Sequence, residues 1–131
     1  MNSATVTVES VVLIQDQRGY VFEPINEVEL GGQHNTHVVL TEPGHVRGNH
    51  YHKRGTEILV VVGPALVRYR ENGLVRDVEL APGQAVRFTV PPGIPHAFKN
   101  IGESPMLLVA FNTMVHDRAN PDTVAERLIE T

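Results

Sequence analysis

The chain has no cysteine and no tryptophan among its 131 residues, and phenylalanine and tyrosine together make up only 5% of them. Without cysteine there is no disulfide, no thiol nucleophile and no thiolate metal site. Long apolar runs are missing as well. Ile58 to Val67 is the longest, and Gly63 and Pro64 interrupt it, far short of the ~20 residues a membrane-crossing helix needs. Met1 to Glu9 carries neither a basic patch nor an apolar signal core, so no targeting segment is expected. An excess of positive charge is also absent: the net charge is −4, which argues against a general nucleic-acid binder. These absences predict a cytoplasmic protein with neither a membrane nor a nucleic acid as partner.

Histidine, glycine and proline are what the chain has in number: 7, 11 and 9 respectively. Hydrophobic residues at 41% and charged residues at 20% are an ordinary globular balance, and the length suits one domain over residues 1–131. Charge is uneven. Residues 1–46 hold one basic and six acidic side chains, residues 47–87 seven and four, residues 88–131 three and five. Nine of the eleven basic residues are arginine, whose planar fork matches phosphate and carboxylate.

Short runs rich in β-branched residues dominate the pattern: Val6 to Ile14, Val38 to Leu40, Glu57 to Val62, Leu66 to Tyr69, Leu74 to Leu80, Ala85 to Val90 and Met106 to Phe111. Such runs read as strands. Gln17-Arg18-Gly19, Gly31-Gly32, Pro43-Gly44, Asn72-Gly73, Pro82-Gly83 and Pro92-Gly93 punctuate them. Asn72-Gly73 is a two-residue hairpin signal. One helix is expected, at the C-terminus: Asn120-Pro121-Asp122 offers a cap, and Val124, Ala125, Leu128 and Ile129 share a helical face. Strands at this spacing imply an all-β sandwich or barrel.

His50 and His52 flank Tyr51 on an expected strand, so both imidazoles point to one face. Glu57 returns on the next strand after Lys53-Arg54-Gly55-Thr56, and His96 follows Pro91-Pro92-Gly93-Ile94-Pro95. Three imidazoles and a carboxylate form a nitrogen and oxygen site for a divalent metal, zinc favoured, with manganese, iron, nickel or copper also accommodated.

The full spacing is Gly44-x5-His50-x-His52-x4-Glu57-x5-Gly63, then Gly83-x7-Pro91-x-Gly93-x2-His96-x3-Asn100. It resembles the two signature motifs of the cupin superfamily. Glu57 to Gly63 is one residue shorter than that pattern and Gly83 to Pro91 two longer, and neither gap moves the four ligand positions. The resemblance implies a small antiparallel jelly-roll barrel with a metal held by His50, His52, Glu57 and His96. Val46-Arg47-Gly48-Asn49-His50-Tyr51-His52 with Thr56-Glu57, Asp16-x-Arg18-Gly19-x-x-Phe22-Glu23 and Pro121-Asp122-Thr123 narrow it. They look like the metal-binding cupin domain of bifunctional capsular-polysaccharide enzymes, where a reductase is fused to an epimerase cupin. A more distant likeness is to dTDP-4-dehydrorhamnose 3,5-epimerase, whose glutamine stands where this chain has His52.

That resemblance implies a metal-dependent epimerase or isomerase acting on a nucleotide-linked 4-keto-6-deoxy sugar in surface polysaccharide synthesis. Ligated histidines are poor bases, so a further histidine is needed, and His37 is the candidate catalytic base. Gln33, Asn35 and His37 share one strand parity, like the polar trio with which sugar-nucleotide cupins touch substrate. Arg47 is the candidate diphosphate ligand, and Gly48 permits a bulge that turns it inward. Two other readings share the four ligands: a metal-dependent cupin dioxygenase or small-molecule isomerase, and a non-catalytic ligand-binding or sensor cupin. A homodimer is expected, paired through the strand at Val6 to Ile14.

Overall fold

The computed structural model describes residues 4–131. Two five-stranded antiparallel sheets face each other. In chain order the strands are β1 (Thr7–Val11), β2 (Ile14–Asp16), β3 (Gly19–Val21), β4 (Asn35–Thr41), β5 (Val46–His52), β6 (Glu57–Val62), β7 (Ala65–Glu71), β8 (Leu74–Leu80), β9 (Ala85–Val90), β10 (His96–Asn100), β11 (Met106–Asn112) and β12 (Thr123–Ala125). One sheet runs β1-β9-β6-β11-β4, the other β12-β5-β10-β7-β8, and β2-β3 is a separate hairpin. A single helical turn, α1 (Glu27–Leu30), is capped by the Asn26 side chain, which accepts from the Glu29 N–H at 2.7 Å.

Alternation explains most of this. Along β11, Met106, Leu108, Ala110 and Asn112 point inward and are buried, while Leu107, Val109 and Phe111 are half-buried on the other face, the period-2 pattern of a strand with one face on a core. β6 is buried on both faces because a second layer covers its outer side: Val11, Leu13, Phe22 and Leu107 pack over Val60, Val62 and Ala85. The main core lies between the sheets, where Leu59, Val61, Val67, Phe88, Phe98 and Leu108 meet. Asn72 and Gly73 join β7 to β8 with φ of 52° and 74°, the paired positive angles of the hairpin turn their sequence announced.

The C-terminal segment departs from the sequence reading. The helix expected there does not form. Thr123–Ala125 pairs antiparallel with β5, Thr123 opposite His52 and Ala125 opposite His50. The Leu128 and Ile129 N–H groups donate to the Asn49 side-chain oxygen at 2.8 and 3.1 Å, and the Asn49 amide donates to the Ile129 carbonyl. Ile129 is buried by this anchorage. Tertiary partners thus take the N–H groups a helix would use internally, and the β-branched pair Thr123-Val124 suits the extended form. The run Val6 to Ile14 divides into β1 and the start of β2. β1, the strand expected to pair between two copies, lies along β9 of its own chain.

Candidate functional site

β5 and β10 bring three histidines to the inner face of one sheet, and the first residue of β6 brings Glu57 from the other. Ligand atoms of His50, His52, Glu57 and His96 all lie within 4.8 Å of one another, close to the spacing of donors that share an ion at about 2.0–2.2 Å. Backbone geometry makes the gathering possible. β5 is bulged against β10: His96 faces His50, Ala97 faces Gly48, and Asn49 is the extra residue. Gly48 and Asn49 have φ of 86° and 55°, and a Cβ on Gly48 would sit 2.7 Å from the His96 carbonyl oxygen. Only glycine permits that approach.

His96 is aimed by a backbone neighbour. The buried His96 Nδ1–H donates to the Ile94 carbonyl at 2.9 Å, and its Nε2 lies 3.1 Å from Glu57 Oε1. A neutral imidazole has one N–H; with the carbonyl taking it, Nε2 presents a lone pair to a carboxylate. His52 repeats the problem. Its Nε2 is 3.2 Å from Glu57 Oε2 but is buried without a hydrogen-bond partner, and its Nδ1 is 3.9 Å from Asp122 Oδ2. A cation at the focus satisfies both nitrogens and both carboxylate oxygens, so the residues present fit a divalent metal.

Electrostatics separate His50 from His52. Burial, reinforced by His96, pushes His50 down to about 4, so it is a neutral donor at physiological pH. For His52, burial lowers the pKa and the Glu57 carboxylate more than offsets it.

Beside the cluster is a cavity of about 160 Å³ lined by His37, Val39, Arg47, Gly48, His50, Glu57, Leu59, Phe98, Leu108 and Ala110. His37 and Arg47 therefore reach the cluster's cavity, Arg47 through the bulge at Gly48. Arg47 also bridges the sheets, donating from Nε to Thr41 Oγ1 at 3.1 Å and from an Nη to the Leu40 carbonyl at 3.3 Å. Asn35 faces a smaller recess with His52, Asn112 and Asp122. Gln33 is not brought in: it precedes β4, and its amide donates to the Glu29 carbonyl at 2.9 Å. Asp122 is the site neighbour that sequence reasoning placed elsewhere, as part of a helix cap. Its signal was the Pro121-Asp122-Thr123 match itself.

Two facing antiparallel sheets with an inward three-histidine, one-carboxylate cluster make up the site, and solved structures share the fold. Capsular polysaccharide assembling protein CapF of Staphylococcus aureus aligns with a TM-score of 0.66 at 21% identity, covering 90% of this chain and 34% of that one. The sugar 3,4-ketoisomerase QdtA of Thermoanaerobacterium thermosaccharolyticum, solved with TDP, aligns at 0.69 and 16%, covering 91% and 86%. A dTDP sugar isomerase of Desulfovibrio desulfuricans aligns at 0.76 and 17%, covering 97% and 85%.

Residues 14–124 match the family described as polysaccharide biosynthesis C-terminal domain, and the chain belongs to it. The UDP-2-acetamido-2,6-beta-L-arabino-hexul-4-ose reductase of Pseudomonas aeruginosa is 30% identical over 118 residues, which is 88% of this chain and 31% of that protein. The chain spans under a third of this relative's length. Among the described residues, no helix is long and apolar enough to cross a membrane.

Proposed function

We propose that this protein is a metal-dependent sugar-nucleotide isomerase or epimerase acting on a 4-keto-6-deoxy sugar in surface polysaccharide synthesis. The observation that carries it is the cavity in which His37 and Arg47 face the His50, His52, Glu57 and His96 cluster. At about 160 Å³ the cavity is smaller than the roughly 300–1,000 Å³ of sites that enclose a whole drug-sized ligand. It suits the reacting ring, with the nucleotide outside along the mouth that Arg47 borders. Family membership and the nucleotide-sugar relatives support the same reading.

His50, His52, Glu57 and His96 would hold the ion, with zinc the preferred occupant of such a donor set. When bound, a divalent ion supplies Lewis acidity toward a ketone oxygen. The protons beside that ketone are the acidic ones. His37, which lies outside the ligand set, is placed to take one and return it. Arg47 binds the diphosphate through its fork, exchanging its present bonds to Thr41 and Leu40 for phosphate oxygens. Phe98, Leu59 and Leu108 line the floor and exclude water from the reacting carbon.

Solvent deuterium exchange into a panel of 4-keto nucleotide sugars, with and without chelator, tests this. Exchange that chelator abolishes and His37→Asn suppresses is expected. No exchange into any member of the panel would overturn the reading. Gel filtration at several concentrations checks the accompanying expectation of a homodimer; monomer at every concentration would refute it.

A further inference from the structure

Asp122 is the best-connected polar group around the cluster that the proposed chemistry leaves unused. One oxygen accepts the Gly55 N–H at 2.8 Å and the other the Arg54 N–H at 3.0 Å, while its main-chain carbonyl accepts the Lys53 N–H at 2.8 Å. Its carboxylate also lies 3.9 Å from His52 Nδ1. The residue after it, Thr123, pairs with His52 across β12 and β5. A few residues on, Asn49 in the β5 bulge clamps Leu128 and Ile129. The tail therefore braces β5 on both sides of its two histidines.

We propose that Asp122 is a positioning residue: its carboxylate, delivered by the C-terminal strand, holds the His52 proton on Nδ1 and turns Nε2 toward the cluster. This rests on the metal reading above. A ligating imidazole usually gives its other N–H to a carboxylate or carbonyl, which fixes tautomer and ring orientation. His96 has this arrangement with the Ile94 carbonyl, and Asp122 stands in the equivalent place for His52. The separation of 3.9 Å is longer than a hydrogen bond. It is an electrostatic contact. Asp122 also belongs to the C-terminal segment, so His52 is braced by a part of the chain about seventy residues away in sequence.

The test compares wild type with Asp122→Asn, which keeps an oxygen for the Gly55 N–H but loses the charge. Zinc and cobalt affinities are measured by chelator competition, with the cobalt absorption spectrum and the His52 ring proton in the zinc-loaded protein followed by nitrogen-15 NMR. The expected result is about 10–100-fold weaker metal binding, a changed cobalt spectrum and faster solvent exchange of the His52 Nδ1 proton. A purely structural role would lower the unfolding midpoint and leave the spectrum and the exchange unchanged. Equal affinity and spectrum in a folded Asp122→Asn protein would overturn the proposal. So would zinc-loaded wild type binding through His52 Nδ1, a result that needs no variant. Wild type that binds neither ion would overturn the metal reading and this inference with it.

Discussion

The two ends of the space between the sheets are built from the same strands and hold together differently. β6 begins with Glu57 and continues inward with Leu59 and Val61. β10 begins with His96 and continues with Phe98, and β11 runs from Met106 through Leu108 and Ala110 to Asn112. One end is filled by apolar side chains whose burial is itself the driving force. The other holds three imidazoles and a carboxylate, of which His52, His96 and Glu57 are buried, and buried polar groups are costly unless partnered. One interior between two sheets is thus held by shape at one end and by polar contacts at the other.

The strongest blow to the apolar end is Phe88→Ala. Phe88 is 1% exposed, and truncating such a core aromatic costs about 3–5 kcal/mol. Denaturant unfolding should show that loss while metal affinity stays within about twofold. A metal affinity that collapsed with it would erase the distinction between the ends. Glu57→Ala attacks the polar end. It removes the one carboxylate of the cluster, so it should abolish tight metal binding by chelator competition. Binding at wild-type strength would remove Glu57 from the donor set.

Gly48→Ala tests the junction. The added Cβ meets the His96 carbonyl at 2.7 Å with φ at 86°, so a loss of about 1–3 kcal/mol is expected. Metal affinity should weaken in step, because β10 must shift. Asn49→Ala should cost about 1–2 kcal/mol by thermal unfolding, since it leaves the Leu128 and Ile129 N–H groups without their acceptor. Asn49→Gly should cost less than Asn49→Ala, because glycine relieves the positive φ of 55°. An Asn49→Ala protein as stable as wild type would show that the tail is not held by this clamp.

Much of the site was legible before the fold was known. His50 and His52 share a face as their parity implied, Glu57 and His96 lie with them as the family resemblance implied, and the β5 bulge falls beside Gly48. The strand edges were less visible. β10 was not among the runs recognised, because His-Ala-Phe-Lys-Asn is short and its alternation is masked by the polar groups it buries. Gln33 shared parity with Asn35 and His37, yet β4 starts only at Asn35, so parity does not extend back to it. The C-terminal helix was a sound local inference with a wrong outcome. Asp122 directs its carboxylate to the Arg54 and Gly55 N–H groups instead of capping its own chain.

The sequence by itself determined the class of the molecule: alternation and turn chemistry dictate strands, and the absence of cysteine leaves any metal to nitrogen and oxygen. These are local properties, written within a few residues of one another. The tertiary structure alone decided that the tail is a strand, that Asp122 lies beside His52, and that Nε2 of His96 and Nε2 of His52 both approach Glu57, at 3.1 and 3.2 Å. Those outcomes depend on contacts between residues far apart in the chain, whose energies exceed the modest local preference of a short segment for a helix.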